Sequence, residues 1–256
     1  MTKKYILIYL DILGFSNLVK KYKAEKMAEI LCQVKNIACS TDKFEVKSFE
    51  PEDSPDENLI NKAHPSPIKA TCFSDSIVLS SDMSSATHQI FPGMILVTLY
   101  EIIGFLIKNK ILDEPIIVRG AISIGTDLYH KSDIVVGQTL IDAHSLEENA
   151  SIYPRIIIKK DDLDTYGIDT KRYFIKDEDD DCYYFDFLSG GPFFSRGTPD
   201  FQEDQDIFMT LLPNFISKMK TDYKDNEQVY NKYNWFEKYL NKHIKNQPTN
   251  EKIFSR

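Results

Sequence analysis

Tyr5 to Leu10 reads YILIYL, an apolar and aromatic run without a polar break. Such a run predicts a central strand covered on both faces, since a half-exposed strand would alternate. Asp11 follows at once and Gly14 ends the extended stretch. Ser16 is placed to cap a helix whose apolar stripe runs through Leu18, Val19, Tyr22, Met27, Ile30, Leu31 and Val34. The segment Ser40 to Pro67 is polar and holds Pro51, Pro55, Pro65 and Pro67, which predicts an exposed loop, with a short strand near Phe44 to Phe49. IKATCFSDSIVLSS, from Ile68 to Ser81, has two β-rich arms around Ser74-Asp75 and predicts a hairpin, although no glycine stands at its turn.

Ser85 to Lys110 predicts a long apolar helix with a break at Pro92-Gly93, and Pro115 to Gly125 (PIIVRGAISIG) a buried strand. A short strand over Asp133 to Val136, a helix over Gly137 to Asn149 and a strand over Pro154 to Lys159 follow. The acidic run Asp177 to Asp181 suits a hairpin tip before Cys182 to Leu188. From Gln205 the period is helical, through Ile207, Phe208, Leu211, Leu212 and Phe215, then Tyr230, Tyr233, Trp235, Phe236 and Tyr239. Strands alternate with helices but hairpins intervene, which predicts an α+β fold on a mixed sheet. The expected division is a domain over 1–195 and a helical extension over 196–256, packed on the domain or on a dimer partner.

Composition narrows the field. A hydrophobic fraction of 42% supplies a true core and excludes wholesale disorder. The formal charge of −8, from 31 basic and 39 acidic residues, argues against a general grip on nucleic acid. Cys32, Cys39, Cys72 and Cys182 form no CxxC pair and read as reduced cytosolic thiols. Phe91 to Ile107 is interrupted by Pro92 and Glu101, and reads as a buried helix rather than a membrane span. With no export signal at the start, the expected location is the cytoplasm.

Two aspartates fall where burial opposes charge. Asp11 ends an apolar strand and Asp75 tips an apolar hairpin. A buried carboxylate is costly unless it is paired, hydrogen-bonded or bound to metal. One reading makes Asp75 a turn residue and Asp11 a helix cap. The other makes both project from neighbouring strand ends and hold divalent cations, Mg²⁺ or Mn²⁺, on a triphosphate. Leu13-Gly14-Phe15-Ser16 turns directly into a helix start, where free amides form an anion cradle. Arg119 lies mid-strand, either in an internal salt bridge or as a cation facing an anionic ligand.

Four segments, in order, resemble class III nucleotidyl cyclases. YLDILGFS is similar to their first metal segment (F-x-D-I-x-G-F-T/S), and FSDSIVLSS to their second metal hairpin. VRGAISIG resembles a strand of the M/V-R-x-G-I-x-x-G type, and DIVVGQTLIDAHSLEENASIYPRIII the stretch from the G-x-x-V/L-N-x-A helix to the next strand. The pairing of VRGAIS with LEE and YPRI looks like the bacterial pyrimidine cyclases of Pycsar antiphage systems. The resemblance covers Tyr5 to about Leu188. It implies a ferredoxin-like core with a mixed sheet flanked by helices, and a homodimer whose sites are completed across the interface. It implies two Mg²⁺ or Mn²⁺ ions on Asp11, Asp75 and the Ile12 carbonyl, and phosphates on the Gly14, Phe15 and Ser16 amides. Lys176 falls near the family's phosphate-binding lysine, and Arg119 is the candidate catalytic cation.

The departures are as informative. Thr71 and Ile134 stand where purine cyclases carry their base-reading Lys and Asp, with Asp133 one step away. Ile141 and Ser145 align with the ribose-orienting Asn and the transition-state Arg. His144, Tyr129 and Tyr153 are further candidates for ribose or base contacts, and Arg155 is ambiguous between structure and site. The expected activity is conversion of UTP, or CTP, to the 3′,5′-cyclic nucleotide and pyrophosphate. That product would act as a second messenger to a downstream effector in antiphage defence, with no direct nucleic-acid partner. The alternatives are a catalytically degenerate nucleotide-sensing module and an ATP or GTP cyclase.

Overall fold

The computed structural model describes residues 2–40, 68–84, 93–167, 173–177, 182–188 and 210–246. The chain forms two compact units, Met1–Phe185 and Asp186–Arg256. The first contains strands β1 (Tyr5–Ile12), β2 (Lys69–Phe73), β3 (Ser76–Asp82), β4 (Val118–Gly125), β5 (Tyr129–Lys131), β6 (Ile134–Val136), β7 (Ile156–Ile158), β8 (Phe174–Lys176) and β9 (Tyr183–Phe185). Its helices are α1 (Phe15–Ser40), α2 (Met94–Lys108), α3 (Gln138–Ala150) and α4 (Lys160–Tyr166). The second unit contains α5 (Leu212–Asp222) and α6 (Glu227–Asn246).

Seven strands make one mixed sheet in the order β2-β3-β1-β4-β7-β9-β8, and β5 and β6 form a separate hairpin. β1 is hydrogen-bonded on both edges, antiparallel to β3 and to β4. Ile6, Leu7, Ile8 and Leu10 are fully buried, which accounts for the unbroken apolar run. β4 and β7 are parallel, with α3 in the crossover between them. The α+β class and the mixed sheet are as the residue pattern predicts.

The two-residue period of a strand puts Leu7, Tyr9 and Asp11 on one face of β1. Leu7 and Tyr9 pack there with Val78 of β3 and Ala143 of α3, flanked by Leu128, Val135 and Leu140. The register places Ser76 and Arg119 beside Asp11, so this row also faces α3. Gly120 lies opposite Leu10 in the β1–β4 ladder. A Cβ there would lie 2.3 Å from the Tyr9 carbonyl oxygen and 2.8 Å from Leu10 Cδ2.

Several elements differ from the sequence reading. α1 begins at Phe15, not after a Ser16 cap, and Lys23 (φ 67°, ψ 164°) breaks its helical geometry. The β2–β3 turn lacks glycine because Ser74 itself adopts the left-handed conformation at φ 54°. β5, β8 and α4 were not predicted. Three-residue strands and a two-turn helix carry too little periodicity to register. The expected strand near Phe44 to Phe49, the Pro92 break and most of the acidic tip at 178–181 lie outside the described residues.

In the second unit Phe187, Phe236 and Tyr239 pack together, and the Tyr239 hydroxyl donates to Asp186 Oδ1 at 2.7 Å. Trp235 stacks at a tilt on Tyr239. The aromatic stripe of α6 is therefore a packing surface. No helix among the described residues is long and apolar enough to cross a membrane.

Candidate active site

The backbones beside Asp11 and Asp75 come together at one end of the central strand. The backbone ties them, because the Ile12 amide donates to the Asp75 carbonyl oxygen at 2.9 Å. Next to it the Leu13 amide donates to the Ile117 carbonyl oxygen at 2.9 Å, which fixes the exit of the chain from β1. Gly14 then takes φ 73° and starts α1, with Asn17 and Leu18 donating back to its carbonyl oxygen. The left-handed turn needs a residue without a Cβ penalty, and Gly supplies it. The Phe15 and Ser16 amides, ahead of those of Asn17 and Leu18, have no intrahelical acceptor and lie four and five residues beyond Asp11.

Arg119 reaches Asp11 across the β1–β4 ladder, its Nε donating to Asp11 Oδ2 at 3.0 Å. Nη1 donates to the Ser151 carbonyl oxygen at 3.3 Å, just past α3. Glu147 of α3 places Oε1 2.7 Å from the same Arg119 Nε. The single Nε hydrogen is directed at Asp11, so Glu147 gains the charge without the hydrogen bond. Its Oε1 is buried with no hydrogen-bond partner. Glu147 as a whole is 3% exposed. Burial raises its pKa, opposed by the Arg119 charge and reinforced by Asp11.

The Tyr9 hydroxyl and the Ser76 hydroxyl share a hydrogen bond of 2.7 Å beneath this group. Burial raises the Tyr9 pKa. The Ser76 bond opposes that shift, and the fields of Glu147, Asp11 and Asp75 add to it. Three carboxylates thus act on one hydroxyl, and one guanidinium stands among them. With all ionised, the cluster carries a formal charge of −2, the complement of one divalent cation.

That balance, the hard oxygen donors and the orphaned Glu147 oxygen fit a divalent-cation site. Among the described residues no group of three or more His, Cys, Asp or Glu side chains is set to hold a metal alone. A cation on Asp11 and Asp75 would complete its shell from the Ile12 carbonyl, water and ligand phosphate, as Mg²⁺ commonly does.

The remaining sequence candidates are dispersed. Lys176 is exposed on the edge strand β8, four places from β1 in the sheet. At the usual strand spacing that is about 19 Å, so Lys176 is not brought to Asp11 of its own chain. Arg155 is buried and ion-paired with Asp177, also donating to the Ala150 carbonyl oxygen at 3.3 Å. It fastens the end of α3 to the β8–β9 connection, and its guanidinium lies over the Tyr153 ring at 5.3 Å. His144 is exposed and meets Tyr9 edge-on at 5.1 Å. Ile141 and Ser145 are exposed.

Thr71 is buried. Its hydroxyl shares a 2.9 Å hydrogen bond with His130 Nε2 and donates to the Ser132 carbonyl oxygen at 3.3 Å. Ser80 holds the other ring nitrogen, Nδ1, at 2.8 Å. Burial, then the Lys69 charge, depress the His130 pKa to about 4. On the outer face of the β5–β6 hairpin, Tyr129, Ile134 and Val136 are 54%, 60% and 55% exposed.

Sequence reasoning passed over Glu147 and His130. Glu147 lies on the helical line of Leu140 and Ala143, three and then four residues apart. That spacing aims it at the core, so the signal was present. His130 carried none, because its strand is three residues long.

No protein-family profile matches the chain, and no curated protein does. Solved structures similar to it include guanylyl and adenylyl cyclase domains. The monomeric guanylyl cyclase domain of the RhoGC fusion protein from the aquatic fungus Blastocladiella emersonii is 14% identical, with a TM-score of 0.48 over 72% of this chain and 95% of that one. A guanylate cyclase domain of RhGC from Catenaria anguillulae, in complex with GTP, is 12% identical with a TM-score of 0.44 over 72% and 96%. A bacterial light-regulated adenylyl cyclase is 14% identical with a TM-score of 0.39 over 82% and 98%.

Proposed function

We propose that the protein is a nucleotidyl cyclase acting on a pyrimidine nucleoside triphosphate, UTP before CTP. The observation that carries this reading is the junction of Asp11 and Asp75 by the Ile12–Asp75 backbone bond, beside the Gly14 turn and the start of α1. Asp11, Asp75 and the Ile12 carbonyl would hold Mg²⁺ or Mn²⁺. Such ions, when bound, acidify the ribose 3′-hydroxyl and offset the charge of the triphosphate.

The chain's own residues do the rest. The Gly14, Phe15 and Ser16 amides receive the β- and γ-phosphate oxygens at the helix's positive end. Arg119 sets a guanidinium beside Asp11, where negative charge grows as the 3′-oxygen attacks the α-phosphorus. The α-phosphorus bond to the bridging oxygen breaks, pyrophosphate leaves, and the hydroxyl proton passes to solvent.

The purine contacts give way to different chemistry. The Thr71 hydroxyl is committed to His130 and Ser132, and Ile134 offers no hydrogen bond to a base edge. These features support a pyrimidine over a purine. The exposed apolar face of Tyr129, Ile134 and Val136 supports a homodimer. In a dimer Lys176 would serve the partner's triphosphate, since it is remote from Asp11 in its own chain. The cyclic product would then signal to an effector in the cytoplasm during phage infection.

The test is incubation with each of the four ribonucleoside triphosphates and Mn²⁺, with products separated by mass. Cyclic UMP or cyclic CMP is the expected result, lost in Asp75→Asn. Cyclic AMP or GMP would replace the pyrimidine reading by a purine one. No product from a folded protein with any nucleotide would overturn cyclase activity and leave a nucleotide-sensing module.

A further inference from the structure

Arg119 is claimed by two carboxylates at once. Asp11 accepts its Nε hydrogen at 3.0 Å, and Glu147 Oε1 stands 2.7 Å from the same nitrogen without a hydrogen bond of its own. The Glu147 side chain is 4% exposed, against 19% for Asp11. A carboxylate so deeply desolvated is costly unless a partner holds it. The arrangement is thus saturated on the Asp11 side and under-satisfied on the Glu147 side.

We propose that Glu147 is a positioning residue that takes over Arg119 when Asp11 turns to a divalent cation. This rests on the reading of Asp11 as a metal ligand. A dication on Asp11 repels the adjacent guanidinium. Arg119 keeps a counter-charge because Glu147 lies within ion-pair distance already. It keeps its place because Nη1 is anchored on the Ser151 carbonyl oxygen, from the same end of α3. A small turn of Nε from Asp11 toward Glu147 then satisfies the orphaned oxygen and frees Asp11 Oδ2. Glu147 thereby supports cation binding without touching the cation.

The experiment titrates Mn²⁺ alone into the full-length protein, reading free Mn²⁺ by its paramagnetic resonance, with folding followed by circular dichroism. Glu147→Gln keeps the shape and removes the charge. It should weaken Mn²⁺ binding on the order of tenfold, mid-range for side chains in contact. In an Arg119→Gln background the same change should have little effect, since there is no guanidinium to hand over. Equal affinity of Glu147→Gln and wild type overturns the proposal. An equal loss in both backgrounds overturns it too, since Glu147 would then act through its field alone. Wild-type protein that binds no Mn²⁺, or binds it unchanged after Asp11→Asn, overturns the metal reading itself and this inference with it.

Discussion

Acidification should destabilise the first unit through the buried ring of His130. Both ring nitrogens are engaged by hydroxyls of Thr71 and Ser80, and the ring is 4% exposed. Its folded pKa of about 4 lies below the ordinary 6.5. The unfolded chain therefore binds this proton first, and stability falls as pH drops through that window. Linkage gives a loss of about 2 kcal/mol by pH 5 and about 3 kcal/mol by pH 4, relative to neutral pH. Lys69 and Lys35 deepen the shift and Asp133 opposes it, so added salt should shrink it.

The assay is urea unfolding of wild type and His130→Gln across this range, since the difference removes the carboxylates common to both. The single tryptophan, Trp235, belongs to the second unit and is the wrong probe. Hydrogen exchange of the β3 amides reports the first. Parallel pH curves for the two proteins would refute the reasoning.

Gly120→Ala places a methyl group 2.3 Å from the Tyr9 carbonyl oxygen, and should cost on the order of 3 kcal/mol or prevent folding, checked by soluble yield and urea midpoint. Arg155→Met leaves buried Asp177 without its guanidinium and should destabilise the first unit by about 3 kcal/mol, whereas Arg155→Met with Asp177→Leu should recover much of that. Ile134→Lys with Val136→Lys should convert a dimer to monomer in sedimentation without lowering the unfolding midpoint, because both side chains are more than half exposed. An unchanged sedimentation coefficient would remove the hairpin from the interface.

The legible parts of this site were those that broke a local rule. Asp11 stood out because a carboxylate ended an apolar run, and Arg119 because a cation interrupted a strand. Their contact gives physical form to both anomalies. Glu147 was signalled only by its spacing from Leu140 and Ala143, while the two glutamates and the asparagine of HSLEENA otherwise look like a solvated face. Only the tertiary placement of α3 against β1 turns one of them inward. Thr71 and His130 were opaque for a similar reason, because their pairing joins residues 59 positions apart. The sheet itself was readable wherever strands were long. It faded at β5 and β8, whose three residues each gain identity from their neighbours alone.

The doubly flanked position of β1 has a consequence for biosynthesis. Asp11 emerges from the ribosome 108 residues before the arginine that neutralises it. β3 can dock early, but the other edge of β1 stays open until β4 has been translated. A chain of this length in the ribosome's exit stage would therefore expose a sticky strand edge with a long apolar run. A nascent protein would be most prone to aggregate during that interval and would lack the Asp11–Arg119 pair. The order of translation thus makes the charged cluster around Asp11 a late product, one that forms only when most of the first unit is already in place.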